Sequence, residues 1–474
     1  MKLTDILKFF TATVAILALL CIVFPSGGVS IGGVTFRFPS LHNVLAPEKE
    51  KSIDELLVNE TKRDISGLKD SIADCKQRIF ESQIRLWLPD DDITCFDRFF
   101  EKAEQAQKDG SIVRVLHYGD SQIEMDRITC RLRERMQQQF GGGGPGMLPL
   151  RQPVPSVTFN QRATGSLVGQ STWGDSSYRR VNGNYGPMLR SWHVNGNATL
   201  SLSSSNSVYA TPRVSNFSSV RVLCNNRQGN FTVTMKNRKG PGEFSHTLKE
   251  EGVQIFGFKM DTVSNSVALT FSGNADVYGI LVDDGPGVAV DNIGMRGVSG
   301  HQFTKTNADQ LTASYQAINV GMIIMQFGGN SVPYLNGEKS IGNYCKRLGE
   351  QIDYIHKVCP EAVVLFVGPS DMSTTVNGQL ATWPKLPMVV EQLRIMANEH
   401  GAAYWSIYDV MGGKNSMITW VKNGLAGPDY IHFTMKGANI MGDYLSDIIF
   451  TMYELYCIRR QITTRQFNEI WKEK

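Results

Sequence analysis

The stretch SIVRVLHYGDSQ, residues 111–122, decides the fold. Ser111 to Tyr118 is dominated by branched apolar residues, the pattern of a strand buried on both faces. Gly119-Asp120 breaks the run in a turn able to expose the hydroxyl of Ser121. A helical pattern follows, with Ile128, Leu132 and Met136 on one face. Strand, sharp turn and helix make the first unit of an α/β fold.

The same rhythm returns late in the chain. Val320 to Phe327 (VGMIIMQF), Ala362 to Val367 and Ala402 to Ile407 read as buried strands. Ile341 to Val358, Leu386 to His400 and Gly437 to Tyr456 read as helices between and after them. Apolar strands alternating with helices imply a parallel sheet covered on both faces. Between the two stretches the character changes. GGGGPG at 141–146 reads as a flexible hinge. From 151 to 288 the chain is rich in Ser, Asn, Gly and Thr, with short alternating runs such as Ala198 to Leu202, Phe231 to Met235 and Val277 to Val282. That is the pattern of a β-sandwich inserted into the α/β domain. No internal repeat is visible.

The N-terminal side reads differently. Phe9 to Phe24 is uncharged and mostly apolar, and no charge occurs between Lys8 and Arg37. A helix crossing the hydrocarbon needs about 20 such residues. Lys2 and Lys8 precede the run, so the body of the protein is expected outside the cytoplasm, on the periplasmic side. The alternative is a cleaved signal peptide, with small Ser26 and Gly28 at the cleavage separation. Leu20 before Cys21 argues against a lipoprotein. Residues 29–45 read as a strand-like stalk. Ser52 and Glu55 have capping-box spacing, and Ile53, Leu56, Leu57, Ile65, Leu68 and Ile72 recur helically. Phe96, Phe99 and Phe100 open a second helix ending at Asp109-Gly110.

Composition narrows the function classes. Across 474 residues the formal net charge is +3, which gives no footprint for nucleic acid. The 8 cysteines are scattered without a CxxC, so no structural metal is expected. GGGGPG lacks the Lys and Ser/Thr of a phosphate-binding loop, and no cofactor is implied. Asp90-Asp91-Asp92 and Asp283-Asp284 read as solvated turns rather than cation sites. Trp173, Tyr178, Tyr185 and Trp192 form either a sugar-stacking platform or ordinary packing. His117 reads as a buried structural residue, and Ser370-Asp371 as a lining of the same crevice.

Three groups carry chemistry. Ser121 stands just past a strand end. Asn330 follows the strand VGMIIMQF in Gly328-Gly329-Asn330. Asp429 and His432 lie in DYIHFT, a spacing that sets carboxylate and imidazole side by side. Open α/β sheets collect such groups at the carboxyl ends of their strands. Serine, imidazole and carboxylate together suit nucleophilic acyl transfer.

This constellation resembles the SGNH (GDSL-like) hydrolase superfamily. Its blocks match Gly119-Asp120-Ser121-Gln122, Gly328-Gly329-Asn330 and Asp429-Tyr430-Ile431-His432. The glycine block matches 291–297, with Gly297 the choice and Gly300 the alternative. Gln122 departs from the Leu of the GDSL subgroup. The resemblance implies a flavodoxin-like three-layer α/β/α domain, with Ser121, Asp429 and His432 catalytic. It also implies an oxyanion hole from Ser121 N–H, Gly297 N–H and Asn330 Nδ2. The glycine loop and β insertion are similar to those of bacterial peptidoglycan O-acetylesterases, where a carbohydrate-binding-module-like domain interrupts the SGNH domain.

The expected organisation is an anchor or signal segment at 1–28, a stalk and helical region at 29–110, SGNH parts at 111–150 and 289–460, the β insertion at 151–288, and a C-terminal tail at 461–474. The expected function is removal of O-acetyl groups from an acetylated polysaccharide or peptidoglycan. Two alternatives keep the same sequence: an O-acetyltransferase working with a membrane-bound O-acyltransferase, and a glycan-binding protein without catalysis.

Overall fold

The protein is described by a computed structural model covering residues 3–24, 29–31, 34–36, 53–180, 182–226, 230–236 and 243–472. It divides into two compact units, Met1–Ser71 and Ile72–Lys474. The first unit holds helix α1 (Leu3–Val23). Its stretch Thr4–Val23 has a mean hydropathy of 2.5 and is long and apolar enough to cross a membrane. Strands β1 (Val29–Ile31) and β2 (Val34–Phe36) pair antiparallel, so this part of the expected stalk is a small hairpin. Helix α2 (Ile53–Phe80) leads from the first unit into the second. Ser52 of the expected capping box lies outside the described residues, as do Ser26 and Gly28.

The second unit begins with β3 (Leu86–Trp87), α3 (Asp97–Asp109), β4 (Ile112–Gly119) and α4 (Thr129–Phe140). Gly110 closes α3 at φ 78°, a left-handed C-cap suited to glycine. The β insertion follows: β5 (Gly146–Leu148), β6 (Phe159–Ser171), β7 (Arg190–Ser204), β8 (Phe217–Asn226), β9 (Phe231–Lys236), β10 (Glu243–Leu248), β11 (Gly252–Ser264) and β12 (Ser266–Asp283). The chain then returns as β13 (Gly287–Gly294), β14 (Val320–Gln326), α5 (Glu338–Val358), β15 (Val363–Gly368), the hairpin β16 (Ser373–Val376) and β17 (Gln379–Thr382), α6 (Leu386–Glu399), β18 (Ala403–Ser406), α7 (Met435–Arg459) and α8 (Thr464–Lys472).

The central sheet has the order β13-β4-β14-β15-β18-β3. The first five strands run parallel, and β3 closes the edge antiparallel to β18. One face carries α3, α4 and α7, joined by Phe140, whose ring meets Phe99, Phe100, Phe450 and Tyr453. The other face packs Leu116, Tyr118, Ile323 and Met325 against α5 and α6 through Leu348, Ile352 and Leu393. This is the expected three-layer α/β/α sandwich.

Four details differ from the sequence reading. Residues 72–110 do not stand outside the α/β domain: β3 is its edge strand, and Phe99 and Phe100 of α3 are fully buried. The C-terminal tail is helical, burying Phe467 and Ile470. The β insertion is one hydrogen-bonded eight-stranded sheet rather than two separate ones. Strand β12 pairs with β7 and β9 along its first half and with β8 and β5 along its second. Its apolar side chains gather into a single core with Val194, Leu200, Phe231 and Val282. Finally, the glycine run is not a flexible hinge. Gly142 has φ +89°, and a Cβ there would lie 2.6 Å from the Val288 carbonyl oxygen. Gly144 has φ +87° and the same closeness to Val282, at 2.5 Å. These glycines permit close backbone contact rather than motion.

A buried ion network joins β12 to the central sheet. The Arg114 guanidinium, in mid-β4, meets Asp283 and also Asp291 Oδ1 at 2.7 Å. Arg221 reaches Asp283 at 3.0 Å, and Met147 N–H donates to Asp291 at 2.7 Å. Asp283 is 1% exposed, so it is not the solvated turn its sequence suggested.

Candidate active site

Register brings the site together. Gly119 of β4 lies beside Gly294 of β13 and Gln326 of β14. The loops leaving these parallel strands therefore open at one edge of the sheet. They line a cavity of about 620 Å³ with Ser121, Gly297, Asn330, Ser370, Asp429 and His432 on its wall.

Ser121 Oγ lies 2.7 Å from His432 Nε2. His432 Nδ1 lies 2.7 Å from Asp429 Oδ2. The turn carrying both is built by the carboxylate itself: Asp429 Oδ1 accepts from Ile431 N–H at 3.0 Å and His432 N–H at 3.1 Å. One oxygen holds the backbone, leaving the other for the imidazole. Partial burial pushes the Asp429 carboxyl up, but the ring and backbone donors outweigh it and hold it below the ordinary value. A carboxylate at Nδ1 favours the tautomer whose Nε2 accepts the Ser121 hydroxyl.

Asp120 is buried, which pushes its carboxyl up to about 6 against the pull of the Gln122 N–H and the nearby His432. Between Ser121 and α4, Met125, Asp126 and Ile128 adopt φ of 66°, 71° and 59°. Such left-handed, non-glycine backbone stores strain that surrounding contacts must hold. Arg133 does this by forking Asp126 at 2.7 and 2.9 Å.

Asn330 reaches the cavity, but its Nδ2 donates to Asp120 Oδ2 and to the Val298 carbonyl, each at 3.1 Å. Both amide hydrogens are therefore engaged. Gly297 is exposed on the cavity wall at φ +75°. Gly300 is buried, and a Cβ there would strike Leu348 at 2.7 Å. Among the described residues the N–H groups of Ser121 and Gly297 have no acceptor. His117 is fully buried between Gln326 and Thr129, and burial pushes its imidazole down to about 4. The aromatic quartet is divided: Tyr185 and Trp192 are buried, while Tyr178 is exposed.

Two residues bind the halves of the site and carried no sequence signal beyond their position. Gln122 Nε2 donates to the Ile431 carbonyl at 2.6 Å and to Ser370 Oγ at 3.0 Å, and its Oε1 accepts from Phe433 N–H at 3.3 Å. The amide thus grips the backbone on both sides of His432. Arg127 donates to the carbonyls of Ser121, Glu124 and Phe433. A leucine at 122 supplies neither donor nor acceptor. Gln122→Leu is expected to lower kcat on a small acetyl ester by about 10- to 100-fold with little change in KM, because misplacing a catalytic group by about 1 Å costs that much. Steady-state kinetics of the purified variant check this.

No family model matches the sequence, and no curated protein matches it. Among solved structures, one described as "Peptidoglycan O-acetylesterase in action" superposes with TM-score 0.59 at 20% identity, covering 76% of this chain and 96% of its own. A family two carbohydrate esterase from Cellvibrio japonicus aligns at TM-score 0.26 and 9% identity, over 63% of this chain and 99% of its own. With its parallel core, inserted β domain and cavity at the strand ends, the chain shares its α/β/α fold with the solved peptidoglycan O-acetylesterase structure.

Proposed function

We propose that the protein is a serine carboxylic ester hydrolase that removes O-acetyl groups from a carbohydrate outside the cytoplasm. The observation carrying this reading is the unbroken chain Ser121–His432–Asp429, with 2.7 Å at each step. Ser121 Oγ attacks the acetyl carbonyl while His432 Nε2 takes its proton, and Asp429 stabilises the imidazolium. The oxyanion is received by the free N–H groups of Ser121 and Gly297. Asn330 joins as third donor by turning one amide hydrogen from its present acceptor. His432 then returns the proton to the departing sugar hydroxyl, and water repeats the sequence on the acyl-enzyme.

Hydrolysis is favoured over transfer because water reaches the triad: the Asp429 and His432 side chains are 49% and 33% exposed. Helix α1 is read as the membrane anchor, with the remaining chain on the periplasmic side. The test is acetate release by the full chain in detergent, from 4-nitrophenyl acetate and from O-acetylated peptidoglycan, with and without an acceptor glycan. Acetate release from both, undiminished by acceptor, is expected. Acetyl groups moving to the acceptor in preference to water would make the protein a transferase, and no turnover of either ester would remove the enzyme reading.

A further inference from the structure

A second, narrower cavity of about 70 Å³ adjoins the first, sharing Glu124 and Met125 with it. Its walls come from both domains: Trp173, Met188 and Arg190 from the insertion, Glu124, Asp126 and Arg133 from the α/β part. It has room for a small polar group with a water beside it, and not for a sugar ring.

The wall carries two carboxylates and two arginines, but one of the carboxylates is paired by an arginine from outside it. Glu124 is forked by Arg296, with Nε at 2.9 Å and Nη2 at 2.5 Å. Asp126 is forked by Arg133. Each carboxylate therefore has its own arginine, and Arg190 is left over. Its guanidinium lies 4.3 Å from the Trp173 ring centre and 5.6 Å from that of Trp192. Among the described residues it makes no hydrogen bond and no ion pair. Stacking on rings uses the face of the guanidinium and leaves its five N–H donors free. Burial pushes Arg190 down to about 10, with Glu124 pulling it back, so it stays protonated at neutral pH. A planar fork in a slot this size suits a carboxylate, which it binds through two parallel hydrogen bonds.

We infer that the side cavity is a carboxylate subsite, in which Arg190 takes the acid group of a sugar whose ring lies in the main cavity. The inference rests on the esterase reading for the placement of the acetyl ester at Ser121, and it makes the substrate an acidic glycan. Two kinds of sugar bring such a group: one with a carboxylate on an ether arm, and a uronic acid with it on the ring.

Binding to the Ser121→Ala full chain tests the subsite without requiring turnover. The probes are N-acetylmuramic acid, glucuronic acid and the methyl ester of each, titrated by ligand-observed NMR. One of the two acids should bind at least about tenfold more tightly than a carboxyl-blocked sugar, the size expected for a charged hydrogen-bonded pair. Preference for N-acetylmuramic acid over its methyl ester selects the ether arm, and preference for glucuronic acid over methyl glucuronate the ring acid. Adding Arg190→Met should erase the preference, and Arg190→Lys should keep part of it. Equal binding of acids and esters overturns the inference, even where Arg190→Met fails to fold, and so does a preference that survives in folded Arg190→Met. Absence of ester turnover in the unsubstituted chain, with the acid preference intact in Ser121→Ala, would strike the esterase reading alone.

Discussion

Ser121→Ala is expected to lower kcat on a small acetyl ester by about 10⁴-fold or more, as loss of the nucleophile does in a triad. Ser121 Oγ is the hydroxyl at 2.7 Å from His432 Nε2. The substitution removes one oxygen from a half-buried turn, so thermal unfolding should shift by no more than about 2 °C. His432→Ala should cost a similar factor, and the double variant little more than either alone, because the two act as one unit. Additive losses would mean that the two side chains act in separate steps. Kinetics on 4-nitrophenyl acetate beside a melting curve for each variant make the measurement.

The largest stability loss is expected at Arg114, far from the chemistry. Arg114, Asp283 and Asp291 are 0%, 1% and 0% exposed. Arg114→Met keeps the length of the side chain and leaves two carboxylates in a dry interior. Breaking a buried pair in this way costs about 3–5 kcal/mol. Burial already pushes Asp291 up and Arg114 pulls it back, so without the guanidinium its carboxyl should rise further. A group whose folded pKa is raised destabilises the native state above its unfolded value, so the variant should lose stability as pH rises from about 4 toward neutrality. Denaturant unfolding at pH 5 and pH 8 should show a larger deficit at pH 8. An equal, small deficit at both would mean that the network contributes little. Replacing Arg114 and Asp291 together by apolar residues should recover much of the loss, since Asp283 keeps its pair with Arg221 at 3.0 Å.

The parallel core was legible in the sequence because its strands are buried on both faces. Val113, Val115, Leu116 and Tyr118 in β4, and Met322 to Met325 in β14, leave no polar alternation to confuse strand with helix. Ser121, Asn330, Asp429 and His432 were legible because each stands at a strand end or in a turn whose local chemistry is short-range. Residues 72–110 were not. Strand β3 has only Leu86 and Trp87, and its place at the sheet edge is set by pairing with β18 more than three hundred residues away. The glycine run misled for a related reason: positive φ permits flexibility in an isolated loop, but here Val282 and Val288 press against it. Gln122 and Arg127 reach Ile431 and Phe433 some three hundred residues away, and no local pattern marks either of them or Arg190. The surroundings of the two candidate glycines were not legible either: Leu348 fills the space beside Gly300, while Gly297 stands exposed on the cavity wall.

The proposed chemistry requires Ser121 to be a nucleophile activated by His432. The most direct test is to treat the full-length protein with a fluorophosphonate and locate the adduct by peptide mass spectrometry. One stoichiometric adduct is expected on Ser121, slowed by about 10³-fold or more in His432→Ala, where the general base is missing. An adduct on a different serine, or undiminished labelling of Ser121 without His432, would contradict that chemistry.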